Sequence, residues 1–126
     1  KYETEGVATL EDGLYVLEEN LKNAAFKDKM IRFVRASMKG WKYAEQNPAE
    51  AAEIVVDNDD SGAQTVEHNT TQMGEIIKLT AGSNGALDPS DYQRTVDSLM
   101  TGGSDPVITK MPEGAWTHVI TDAALK

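Results

Sequence analysis

Apolar residues recur at Met30, Phe33, Val34, Met38, Trp41 and Ala44 in steps of three and four, which lays them along one side of a 3.6-residue helix. This stripe lies within residues 27–56, the most strongly patterned stretch of the chain. Lys27, Lys29, Arg32, Arg35, Lys39 and Lys42 flank it, where their stems extend the apolar cover while their charged heads stay in water. Asn47-Pro48 ends the helix, because proline disfavours the α conformation in the residue before it and suits the first turn of the next helix. A second helix is expected from Pro48 to about Val56, making a helix-turn-helix hairpin. Trp41 sits in the stripe, so its truncation is expected to cost more than that of Trp116 or of either histidine.

Patterning elsewhere is weaker. Leu14, Tyr15, Val16 and Leu17 form a compact β-prone run after the turn-like Glu11-Asp12-Gly13, and predict one short strand whose pairing partner is not evident in the chain. Residues 21–26 lead into the long helix, with Lys27 and Asp28 near its start. After the acidic turn at 57–62, a helix is predicted over 63–81, with Ala63, Val66, Met73, Ile76, Ile77 and Thr80 on one face and a polar middle at 68–72. Gly82 stops it. Asp88-Pro89 then supplies an N-cap and a proline at the first helical position, starting a helix that turns Tyr92, Val96, Leu99 and Met100 inward and closes at Gly102-Gly103. Residues 105–109 read as a short extended piece. The last helix is expected over 116–125, with Trp116, Val119, Ile120 and Ala123 in register. The fold class is therefore mainly α, with about five helices and one or two short strands.

Composition narrows the function classes. A length of 126 residues suits one domain, and a net charge of −9 argues against nucleic acid or an anionic membrane as partner. Without cysteine, disulfides and thiolate chemistry are excluded. No apolar run approaches the roughly 20 residues that span a bilayer. The opening KYETEGVATLEDG has no signal-peptide core, so either the protein never had one or the chain starts after it.

No catalytic constellation emerges. The loop at 57–62 has EF-hand spacing as far as Gly62, but the twelfth position is His68 where a bidentate glutamate is required; it reads as a solvated loop with a helix N-cap. His68 and His118 are far apart in sequence and read as surface or capping residues. No nucleophile elbow or phosphate loop occurs, and close carboxylate pairs such as Asp59-Asp60 are expected by chance among 21 acidic residues. Trp41, Tyr43 and Trp116 could stack on a planar ligand, but at helical spacing they read as core. No catalytic residue, metal ligand or cofactor is assigned.

The wording of residues 32–56 carries a resemblance. Arg32, Phe33, Val34, Arg35 and Ala36, then Lys39, Gly40, Trp41, Tyr43 and Ala44, then Asn47, Pro48, Glu50 and Ala51 resemble a segment of the NMT1/THI5-like substrate-binding proteins, solute receptors of ABC importers. LDPSDYQRTVDSLM and GAWTHVITDAAL look like the same family's closing helices. The resemblance implies a parent fold that is α/β, a two-lobed type II periplasmic binding protein. Within it, residues 1–17 would be the crossover and strand returning to lobe one, and 18–126 the C-terminal helical part, with the N-terminal half absent. It further implies a non-enzymatic, periplasmic or membrane-anchored receptor for a thiamine-pyrimidine precursor, sulfonate or nitrate, with an ABC permease as partner. The ligand-facing residues it suggests beside the crossover are Glu11, Asp12 and Tyr15. The alternatives are a pyrimidine-precursor synthase of the same superfamily and a helical interaction module. An isolated copy is expected to form a homo-oligomer.

Overall fold

Asn47 divides the two principal helices within a single residue. In the structure, a computed structural model that describes residues 2–126, α1 (Ala24–Gln46) and α2 (Pro48–Asp57) flank an Asn47 held at φ −133°, ψ 58°, outside the helical region as the following proline requires. Its backbone N–H and its side-chain amide both donate to the Tyr43 carbonyl, at 2.9 and 3.0 Å, closing α1. Its own carbonyl accepts from Ala51 N–H at 2.9 Å and opens α2. The Glu50 carboxylate, across the break from Tyr43, holds the Tyr43 hydroxyl above its ordinary value of 10.0. The predicted hairpin is therefore present.

Three further α-helices follow: α3 (Val66–Thr80), α4 (Pro89–Thr101) and α5 (Thr121–Ala124), with 3₁₀ turns at Tyr2–Glu5 and Glu18–Lys22. The fold is mainly α, as the patterning predicts. Lys1, the first residue of the expected crossover, lies outside the described residues. Long α1 starts at Ala24, earlier than the lysine-rich stretch suggests, because the Asn23 side chain caps it by accepting from Phe26 N–H at 3.1 Å. α3 starts later than expected, at Val66, with the Thr65 hydroxyl accepting from His68 N–H; Ala63 is left in the loop.

The predicted strands are absent: among the described residues there is no β-strand. Residues 14–17 run as irregular chain with Leu14, Tyr15, Val16 and Leu17 all exposed, Tyr15 at 85%. No other described segment offers a ladder to pair with, and a lone strand cannot satisfy its backbone groups. The 105–109 piece is likewise bent, tied by Ile108 N–H to the Leu99 carbonyl at 3.3 Å. The expected terminal helix shrinks to one turn. His118 Nε2 lies 2.7 Å from the Leu87 carbonyl and its ring packs on Trp116 at 4.8 Å, holding the chain irregular up to Thr121.

The packing is centred on the α2–α3 pair, with α1 against both and against α5. The covered apolar residues among those described are small: Val34 on α1, Ala51 and Ala52 on α2, Val96 on α4 and Ala124 on α5. Among the described residues no large side chain is completely enclosed, and Phe33 and Trp41 of the stripe are 51% and 50% exposed, which corrects the expectation that Trp41 is core. The described structure exposes 9798 Å², against about 6,600 Å² for a compact monomer of this length. About 3,000 Å² of surface that an ordinary domain would cover is open.

Arg35 fixes the C-terminus. Its guanidinium donates to the carbonyls of Ala123 and Ala124 at 3.2 and 3.3 Å, supplying partners for the end of α5 while Ala124 is buried beneath. Arg35→Ala is expected to cost about 1–2 kcal/mol and to speed proteolysis near residue 120, measured by urea denaturation and limited digestion.

Candidate functional site

A cleft of about 470 Å³ opens where α1, α2 and α3 meet the loop that joins α2 to α3. Its apolar side is Trp41 from α1, Val55 from α2, and Met73 and Ile76 from α3. Its polar side is made of amides, Asn58, Gln64, Asn69 and Gln72, with the Asp59 carboxylate beside them. Trp41 is half-exposed because its indole forms a wall of this cleft and not part of an interior.

The loop that frames the cleft is built on Asp59. One carboxylate oxygen accepts from Ser61 N–H at 2.9 Å and from the Ser61 hydroxyl, and the other accepts from Gln64 N–H at 2.7 Å. The Ser61 hydroxyl, followed by these backbone donors, holds the Asp59 carboxyl below its ordinary value of 3.8, so the group is ionised at neutral pH. Gly62, at φ 68°, makes the turn that lets the chain fold over this oxygen pair. The residues that resemble a calcium loop thus work as a capped turn. Among the described residues no three His, Asp or Glu side chains converge as a metal site would require.

Asn69 is the buried polar residue of the cleft. Its amide nitrogen donates to Gln64 Oε1 at 2.9 Å and to the Thr65 carbonyl at 3.0 Å, bracing the start of α3 against the loop. Chemically the arrangement offers an indole face, an aliphatic floor and amide groups in a recess open to solvent, with the Asn58 and Asn69 amide nitrogens already donating within the chain.

The signal for the amide wall is present in the sequence. Asn69, Gln72, Met73 and Ile76 stand at i, i+3, i+4 and i+7, one face of α3. Reading 68–72 as simply polar hides that two of its five residues line the cleft. Val66 and Thr80, expected on the inner face, are exposed.

Glu11, Asp12 and Tyr15 lie on the exposed segment that precedes the Glu18–Lys22 turn, apart from this cleft. That segment is tied to α4, where Leu10 N–H donates to the Thr95 hydroxyl at 2.8 Å. His68 is exposed on the first turn of α3, while His118 joins Trp116 and Tyr92, whose ring centre is 6.1 Å from that of Trp116, in an aromatic cluster over the start of α4. The two histidines belong to different parts of the fold. No family model matches the chain, and neither does any curated protein or solved structure.

Proposed function

We propose that the chain is the C-terminal part of a solute-binding receptor of an ABC-type importer, taking a small compound such as a thiamine-pyrimidine precursor, a sulfonate or nitrate. The observation that carries this reading is the run from Arg32 to Ala51, which resembles such receptors in wording. Within that run Arg35 clamps α5, Val34 and Ala51 are buried, and Asn47-Pro48 sets the hairpin. The large open surface supports it, since a part of a two-lobed protein leaves uncovered the faces that the remainder would cover. In the complete receptor, closure of two lobes would trap the solute and present the closed shape to a permease outside the cytoplasmic membrane. Glu11, Asp12 and Tyr15 would then border the interlobe cleft.

Two measurements test the reading. Sequencing upstream of the coding segment should reveal a continuous N-terminal lobe, with permease and ATPase genes nearby; a stop codon there and no transport genes would overturn it. The isolated chain, with half of a two-lobed pocket, should give no heat with hydroxymethyl-pyrimidine, taurine or nitrate in calorimetry. Micromolar binding by the chain alone would show that the pocket is not shared between two lobes.

A further inference from the structure

The outer side of α1 carries a second apolar row left open to solvent. Phe33, Ala36, Gly40 and Tyr43 recur at i, i+3, i+7 and i+10, and all four are exposed. Ala36 and Gly40 leave the middle of the row shallow, so another backbone can come close. Lys29 and Lys39 border it. Half of the chain's 12 Lys and Arg residues lie on α1, against only Asp28 and Glu45. The chain as a whole is strongly acidic, so α1 is a local reversal of sign.

The complementary element is residues 11–17, just past Leu10, whose N–H is tied to Thr95 of the same chain's α4. It is irregular and exposed throughout, and it holds Leu14, Tyr15, Val16 and Leu17 in one run. Its charged residues are Glu11 and Asp12, and it has no Lys or Arg. From Lys29 to Tyr43 the row and its bordering lysine extend about 21 Å at 1.5 Å per residue, and Glu11 to Leu17 laid out straight reaches about 20 Å at 3.3 Å per residue. Apolar row, charge and length therefore match.

We propose that two copies of this chain form a two-fold dimer in which residues 11–17 of each lie along the outer row of the other's α1. Reciprocal docking closes the symmetry, because every copy provides both the basic row and the acidic strip. The surface left open, about 3,000 Å² per chain beyond a compact monomer, is ample for an obligate interface, which buries roughly 1,000–2,500 Å² per partner. Exposure, charge and area argue for the dimer of the chain by itself; in a two-lobed receptor the same segment and surface would meet the other lobe instead.

Sedimentation equilibrium over a concentration series tests it. The chain should be a reversible dimer whose dissociation constant rises with added salt, because the bordering charges are screened. Lys29→Glu with Lys39→Glu should raise that constant about tenfold or more, since like charges then face each other. Adding Glu11→Lys and Asp12→Lys to that variant should restore part of the association, because the adjacent pair can face only one of the two reversed positions, which stand about 15 Å apart on the helix. A monomer at every concentration would overturn the proposal, as would a dimer indifferent to salt. A dimer that ignores the charge reversals, or one that the second pair of substitutions fails to rescue, would refute the pairing of these two elements. All four substituted positions are exposed, and unchanged helical circular dichroism verifies folding.

Discussion

Ala52→Asp is expected to unfold the α1–α2–α3 unit, while Ala49→Asp three residues earlier leaves it intact. Ala52 has no exposure at all, and no other described residue of α2 or α3 is so enclosed. A carboxylate there would be stripped of water with no donor arranged to receive it, or would have to take up a proton to enter. Either route costs about 3 kcal/mol or more, a large share of the stability of a domain whose other covered apolar residues, among those described, are only valine and alanine. Ala49 is exposed in the first turn of the same helix, one residue after Pro48. An acid at that end meets the unpaired N–H groups and the positive end of the helix dipole, and adds a few tenths of a kcal/mol. Thermal unfolding followed by circular dichroism separates the pair. Comparable losses at both positions would show that α2 is not seated on α3 through Ala52.

Trp116→Ala should destabilise the chain by about 2 kcal/mol and Trp41→Ala by about 1, both discounted from the 3–5 typical of a buried tryptophan. The order is the reverse of what the stripe suggests. Trp116 is 38% exposed and packs between Tyr92 and His118, where it couples the C-terminal segment to the first turns of α4. Its removal also frees the His118 ring that meets the Leu87 carbonyl. Trp41, half in solvent, loses contact mainly with the cleft wall. Denaturant midpoints of the two variants decide the matter, and a larger shift for Trp41 would place the chain's principal packing at the cleft.

That reversal marks where the sequence stops being informative. Signals held in adjacent residues read correctly: Asn47-Pro48 parts α1 from α2, and Asp88 caps α4 by accepting from Ser90 N–H at 2.7 Å ahead of Pro89. These depend on local sterics and on hydrogen bonds spanning two or three residues. Periodicity identifies which side of a helix is apolar, but not whether anything covers that side. Met30, Val34 and Met38 turn toward the chain's own packing, and Phe33 at the stripe's edge does not. Residues 14–17 have strand composition and lack a neighbour to make them a strand. The cleft depends on the meeting of three helices and a loop, so its indole and amide walls are visible in the sequence only as a core tryptophan and a polar patch.

α4 is attached differently from the other long helices, and this divides the molecule's motions. Among the described residues no helix comes against it at close backbone range; it is held by Leu10 on Thr95, by Ile108 on Leu99 and by Tyr92 on Trp116, all from irregular chain. Segments of that kind open at low free energy, whereas α2 and α3 can separate only together. The helix is therefore expected to open as its own unit, with amide hydrogens that exchange faster than those of the α2–α3 pair.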